Sequence, residues 1–142
     1  YVGALSRPYR DFDPHTLWEC YSPEDDRPGI RANNRNLVRP DFVGWSAIGP
    51  IAMLIENILG MDLDMTERTL TWTIRLTEEH GIENLPLGRA GSATLKCARR
   101  ASARDRAEVR VDGDTPIRLC LRRGTSETTC DIVPGIPLTL HV

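Results

Sequence analysis

The chain has 142 residues, of which 40% are hydrophobic and 27% are charged. That length is enough for one ordinary hydrophobic core and too short for two full-sized domains. The formal net charge of -2 excludes a global positive field that would attract nucleic acid or an anionic membrane. No apolar run reaches the length of a membrane-spanning helix, so we expect neither nucleic-acid nor membrane partners.

The first 62 residues predict helix and ordered loop. The chain begins with Tyr1 rather than Met, so we expect a processed or partial chain. Residues 1–6 are expected to form the last turns of a helix. Four prolines between residues 8 and 28 then mark a long irregular stretch.

A second helix is predicted from Ser46 to Leu59, where apolar residues recur at spacings of three and four. Pro50 is tolerated only in the first turn, so the helix should begin near residues 46–49. Gly60 suits the left-handed position after the last turn. Because this helix is apolar around most of its circumference, it needs cover on several sides. Residues 1–45 do not supply enough helix for that, so we predict covering elements elsewhere: the rest of a larger domain, a second chain or another copy.

From residue 66 onward the apolar pattern has a period of two, which is typical of strands with one buried face. Tight turn sequences separate six predicted strands. The strands are Leu70–Leu76, Thr94–Cys97, Ala107–Val111, Ile117–Leu121, Thr128–Val133 and Ile136–Val142. The fold class is therefore α+β, with helical residues 1–62 followed by an antiparallel sheet or sandwich over 63–142. Trp72 shares the parity of the apolar residues on its strand and should be buried.

Four cysteines occur, none of them in a zinc-binding spacing. Cys120 and Cys130 flank a predicted hairpin turn, but the alternation places their sulfurs on opposite sides of the sheet, where they cannot meet. We therefore expect free thiols, which favour a reducing compartment such as the cytoplasm. His80 is expected to be a hydrogen-bonding group in a turn, and His141 a solvated one. No metal or cofactor site is predicted.

Arginine is locally dense between Arg99 and Arg110. Such a cluster can be a polyanion site or a solvated strand face. Asp105 and Glu108 interrupt the cluster, which favours the solvated face.

Two irregular stretches combine aromatic rings with carboxylates: residues 16–24 and residues 41–46. Sugar sites use flat rings to stack on pyranose faces and carboxylates to bind hydroxyls or transfer protons. The same residue types also suit a surface acid and buried aromatics, and residue types alone leave both interpretations open.

The sequences WECYSPE (residues 18–24) and RPDFVGWSAIGPI (residues 39–51) resemble the end of the catalytic domain in trehalase-like six-hairpin glycosidases. The branch they most resemble contains mannosylglycerate-hydrolase-like and family 63 glucosidase-like enzymes. The similarity continues through residues 54–60 and 75–83, and the two motifs have the spacing found in the family. The resemblance implies the terminal helices of an (α/α)6 toroid followed by a carboxy-terminal β-structure.

The resemblance also implies inverting hydrolysis of an α-glycosidic bond in an oligosaccharide or glycoside. The general base falls on Glu19, and Trp45 would help to line the pocket. Trp18 and Tyr21 belong to the same motif as the base and are expected to contact the substrate. The general acid is expected upstream, outside this chain, so the chain should be inactive alone.

One position departs from the family pattern. The residue after the glutamate is commonly Asn in the family and is Cys20 here. A thiol cannot reproduce the hydrogen bonds of an amide. A covalent role for Cys20 is a separate hypothesis, and His15 is near it only in sequence number. The alternative for the whole chain is a non-catalytic β-sandwich that binds a glycan or docks on an enzyme or another chain.

Overall fold

The structure is a computed structural model that describes residues 2–42, 44–45, 48–89 and 91–142. The chain divides into two compact units, Tyr1–Ile55 and Glu56–Val142. The division falls within the second helix rather than after residue 62. The predicted α+β class is confirmed at this level, because short helices lie in the first half and two sheets in the second.

The first unit contains helix α1 (Val2–Asp11), helix α2 (Ile48–Ala52) and a long irregular segment between them. Helix α1 extends beyond the predicted residues 1–6 and carries the buried Pro8 in its interior. Isolated bridges, Tyr21 with Pro28 and Ile30 with Leu37, give the irregular segment its local order. Leu5, Trp18 and Val38 are the buried aliphatic and aromatic residues of this unit.

The second predicted helix is present, but its winding changes along its length. Helix α2 is α-helical, and Met53–Leu59 continues as a π-helix. The predicted start at Ser46 and Ala47 lies outside the described residues. Gly60 ends the helix with a φ of 79°, as predicted. A side chain there would collide with the carbonyl oxygen of Thr73, so only glycine fits without strain.

The second unit is a β-sandwich. Its strands are β1 (Met61–Asp64), β2 (Thr69–Thr73), β3 (His80–Pro86), β4 (Ser92–Cys97), β5 (Glu108–Gly113), β6 (Ile117–Arg123), β7 (Ser126–Ile132) and β8 (Leu138–His141). One sheet has the order β1-β2-β6-β7 and the other β3-β4-β5-β8. A Cβ on Gly113 would lie 3.1 Å from the Cγ2 of Ile132, so the inner faces of the two sheets are in close contact.

The prediction of six antiparallel strands is wrong in two respects. The described residues form eight strands, because β1 and β3 were missed. Strands β2 and β6 also pair in parallel, although the other strand pairs are antiparallel. The parallel pair arises because β3, β4 and β5 lie between β2 and β6 in the sequence and belong to the other sheet.

Trp72 lies at the centre of the sandwich and is 0% exposed, which confirms its predicted burial. Its Nε1 donates a hydrogen bond to the carbonyl oxygen of Leu59 at 2.9 Å. The ring of His80 packs edge-on against it, with centroids 5.5 Å apart. His80 is the first residue of β3 rather than part of a turn, and its Nδ1 lies 2.7 Å from the carbonyl oxygen of Glu78. His141 is exposed, as predicted.

The register of β6 and β7 confirms the prediction for the cysteines. Cys130 lies opposite Leu119, and Cys120 lies opposite Thr129. Directly paired residues point to the same side of a sheet and successive residues to opposite sides, so the two sulfurs face away from each other. All four cysteines are free thiols. Burial raises the pKa of the Cys130 thiol, which lowers the fraction of reactive thiolate.

The predicted solvated face at Arg99–Arg110 is wrong at Arg100. Residues 98–107 are a loop rather than a strand, and Arg100 is 7% exposed within it. Its guanidinium donates to the carbonyl oxygens of Leu76 at 2.8 Å, Asp105 at 3.0 Å and Ala103 at 3.3 Å. Through these hydrogen bonds Arg100 links the loop of residues 98–107 to the segment between β2 and β3.

None of the described helices is both long and apolar enough to cross a membrane.

Candidate functional site

The two segments that carry the sequence motifs lie side by side in the first unit. The backbone N–H of Glu19 donates to the carbonyl oxygen of Arg39 at 2.9 Å. The N–H of Phe42 donates to the carbonyl oxygen of Leu17 at 3.0 Å. Residues 17–19 and 39–42 are therefore joined by two backbone hydrogen bonds, although about twenty residues separate them in the sequence. This pairing brings the aromatic and acidic residues of both motifs to one part of the unit.

A pair of side chains extends this contact by one step. The Oγ1 of Thr16 donates to the Oδ1 of Asp41 at 2.6 Å and accepts from the backbone N–H of Asp41 at 3.2 Å. Asp41 has a φ of 54°, in the left-handed region that Asp adopts more readily than most residues. This pair was not predicted, because its members belong to different segments.

The predicted general base, Glu19, is half-buried. Its backbone is fixed by the hydrogen bond to Arg39 and by its position next to Trp18, which is 2% exposed. These contacts define the position of the Glu19 backbone, from which the carboxylate of a general base has to reach its substrate.

Trp18 and Tyr21, predicted to contact substrate, also hold the loop together. The backbone N–H of Trp18 donates to the Tyr21 hydroxyl oxygen at 3.0 Å. Tyr21 is half-buried, and this burial raises the pKa of its phenol. The indole of Trp18 is enclosed in the unit, whereas the Tyr21 hydroxyl still has a proton that it can donate.

Trp45, the other predicted substrate contact, is 75% exposed. Its ring packs against Phe42 with centroids 4.8 Å apart and planes tilted by 58°. The Arg39 guanidinium carbon lies 5.8 Å from the Phe42 centroid, on its face. Gly44 permits this arrangement, because a Cβ there would collide with the Phe42 ring. The Trp45 indole therefore packs against the Phe42 ring and still exposes most of its surface to a ligand, as a sugar-stacking ring requires.

Cys20 lies on the far side of this region and packs against glycine. A Cβ on Gly29 would lie 2.6 Å from the Cys20 sulfur and 3.4 Å from the Cγ1 of Val38. Gly29 also donates its N–H to the Cys20 carbonyl oxygen at 2.9 Å. The thiol is therefore directed at the neighbouring backbone. His15 contacts Tyr9, with Nδ1 2.9 Å from the Tyr9 carbonyl oxygen.

The contact between Cys20 and Gly29 gives a testable prediction. Gly29→Ala is expected to lower the free energy of unfolding by about 1–3 kcal/mol, because the new methyl overlaps the sulfur. In the double variant Cys20→Ala/Gly29→Ala much of this loss should be recovered, since the sulfur is gone. Urea denaturation of the four proteins of this cycle measures the coupling. Additive losses would show that the sulfur is not the obstacle.

An apolar groove in the first unit was not predicted from the sequence. The groove has a volume of about 200 Å³. Its lining comprises Leu5, Ser6, Tyr9, Leu17, Pro50, Ile51 and Leu54. Three of these residues lie on α1 and three on the second helix, at positions i, i+1 and i+4 in each case. This spacing places the three residues on one face of their helix and is the signal for two facing stripes. This groove was not predicted, because the first helix was expected to end at residue 6, before Tyr9.

The second helix is largely uncovered. Its exposed apolar side chains are Ile48, Ile51, Met53, Leu54 and Ile58, and their exposed fractions range from 38% to 62%. In the described part of the helix only Pro50 is buried. A solvent-exposed apolar patch of this kind marks an interaction surface.

No three His, Cys, Asp or Glu side chains converge as metal ligands would in the described parts of the chain.

No family model and no solved structure matches the chain. A curated protein of Borreliella burgdorferi, named only as an uncharacterized protein, is 29% identical to it over 98 residues. The match covers 68% of this chain and 20% of that protein, so the chain spans about a fifth of the length of the curated relative it matches. The relative's name states no activity, so only the residues of this chain indicate a function.

Proposed function

We propose that this chain is part of an inverting glycoside hydrolase that acts on an α-glycosidic bond, with Glu19 as the general base. The observation that carries the proposal is the direct pairing of residues 17–19 with residues 39–42. These are the two segments whose sequences resemble the six-hairpin glycosidases. Their contact supports the proposal because a base from one segment and a stacking ring from the other can serve one sugar.

In this proposal Glu19 removes a proton from the water that attacks the anomeric carbon. A general acid, supplied from outside this chain, protonates the leaving oxygen on the opposite face of the sugar. Inverting enzymes place two such carboxyl groups about 6.5–9.5 Å apart to leave room for the water. The exposed indole of Trp45 supports the apolar face of the sugar. Tyr21 donates from its hydroxyl, and Trp18 supports the backbone of the base.

We further propose that the rest of an (α/α) toroid covers the exposed helix and the apolar groove. It would belong to the same polypeptide or to a second chain; another copy of this chain is the alternative cover. Two observations support this. The helix exposes five large apolar side chains, and the matched Borreliella protein is much longer than the matched segment. A chain that holds only the base and part of the pocket is expected to be inactive alone.

The alternative, a β-sandwich that binds glycans without chemistry, has less support. Such a sheet should present a row of rings on one face. Here Trp72 is enclosed between the sheets, and the outer face of β2 carries Thr69, Thr71 and Thr73. A packing role for the sandwich fits these side chains better.

The stereochemistry of hydrolysis tests the proposal. A polypeptide in which this chain is joined to the proposed toroid, called the longer polypeptide below, is incubated with α-glycosides of several sugars, and the first product is followed by proton NMR. We expect the β-anomer to appear first, because water attacks from the face opposite the leaving group. The 142-residue chain alone serves as the control and should release no sugar. Initial formation of the α-anomer, or no hydrolysis of any α-glycoside, would contradict the proposal.

A further inference from the structure

The Thr16–Asp41 pair is a side-chain link between the two motif segments. Its two hydrogen bonds form a closed ring, since Thr16 both donates to the carboxylate and accepts from the backbone N–H of the same residue. The donor–acceptor distance of 2.6 Å to a carboxylate oxygen is typical of a strong, charge-assisted bond. Both residues lie near the surface, so burial does not explain why they are paired.

The pair determines which residues of the two segments face each other. Next to it, Phe42 N–H donates to the Leu17 carbonyl, and one step further Glu19 N–H donates to the Arg39 carbonyl. A slip by one residue would break the backbone hydrogen bonds at Phe42 and Glu19 and change which residues of the two segments lie side by side. The left-handed residue Asp41 lies between the two backbone bonds, which involve Arg39 and Phe42. Glu19 and the ring support at Phe42 lie on opposite segments, and their separation follows from this register.

We infer that Thr16 and Asp41 are positioning residues, which hold the Glu19 segment in register with the segment that leads to Trp45. This inference rests on the proposed function of Glu19. Neither residue touches substrate in this role. Displacing a catalytic group by about 1 Å can lower the rate about 10²-fold, so a loose register is expected to lower turnover while binding of the sugar is largely retained.

Four variants separate the hydrogen bonds from the backbone conformation. Thr16→Val removes the hydroxyl and keeps the shape of the side chain. Asp41→Gly removes the acceptor and still tolerates a positive φ. Thr16→Ser and Asp41→Asn are the matched controls, because each keeps the hydroxyl or the acceptor oxygen and, at position 41, the tolerance of left-handed backbone.

Two measurements apply to all four variants. The first is kcat and KM of the longer polypeptide on its α-glycoside. We expect Thr16→Val and Asp41→Gly to lower kcat about 10- to 100-fold with KM changed less than about threefold, and the controls to stay within about threefold of the parent in both. The second is hydrogen exchange of the Glu19 amide in the 142-residue chain, which should become about tenfold faster only in the first two variants, because its bond to Arg39 opens more often.

The outcomes are distinguishable. Unchanged kcat in Thr16→Val and Asp41→Gly, in a polypeptide that Glu19→Gln inactivates, would overturn the positioning role and leave the proposed function intact. Equal losses in all four variants would also overturn it, because the controls retain the hydrogen bonds. Turnover that survives Glu19→Gln would overturn the proposed function and, with it, the role of the pair.

Discussion

Glu19→Gln in the longer polypeptide is expected to lower kcat about 10²- to 10⁴-fold, the range that a general base contributes. Glutamine has the size of glutamate and keeps the hydrogen-bonding oxygen, but it cannot accept a proton from water. The backbone bond from Glu19 to Arg39 does not involve the carboxylate and should remain. KM is therefore expected to change by less than about threefold, since the loss occurs in the transition state.

Glu24→Gln is the matched control for this experiment. Glu24 lies in the same motif and is exposed. Its backbone N–H donates to the Ser22 hydroxyl oxygen, and this bond does not involve the side chain that is changed. It should retain full activity. Initial rates at saturating substrate are measured for both variants in parallel and compared with that of the parent. If Glu24→Gln loses as much activity as Glu19→Gln, the loss is not specific to the proposed base.

Trp72→Ala is expected to lower the free energy of unfolding by about 3–5 kcal/mol, the usual cost of truncating a buried aromatic ring. The indole is 0% exposed, and its loss leaves a cavity between the sheets. It also leaves the carbonyl oxygen of Leu59 without the hydrogen bond from Nε1. A buried carbonyl that loses its donor adds to the cost.

Trp45→Ala provides the comparison, because this ring is 75% exposed. Its removal should change the free energy of unfolding by less than about 0.5 kcal/mol. Urea denaturation followed by far-UV circular dichroism measures both variants without relying on tryptophan emission. Equal losses from the two substitutions would show that Trp72 does not anchor the sandwich.

The β-rich half was predictable where one face of a strand is buried. Strands β2, β4 and β5 alternate between buried and more accessible residues, and this alternation is visible in the sequence. In β6 the alternation is interrupted, because Cys120 is buried like its two neighbours. Strand β1 has only four residues and follows the helix directly, so its pattern is too short to recognise. Strand β3 contains a register shift between Ile82 and Leu85, which breaks its alternation.

The candidate site was only partly predictable. The motif residues were identified from residue types and resemblance, but the pairing of Thr16 with Asp41 and of Glu19 with Arg39 joins distant segments. Irregular segments have no periodicity from which to assign burial, so the sequence could not separate the enclosed Trp18 from the exposed Trp45. Arg100 was misassigned for a related reason: its partners are backbone carbonyls, which leave no mark in a sequence.

The parallel pairing of β2 with β6 sets constraints on how the sandwich folds. The hairpin β1–β2 can form as soon as its residues are available, but its inner edge stays open until β6 arrives after three strands of the other sheet. Contacts between residues so far apart in the sequence raise the contact order, and proteins with many such contacts fold slowly. We expect a refolding time in the millisecond-to-second range, during which the open edge of β2 is the part of the molecule most exposed to intermolecular strand pairing.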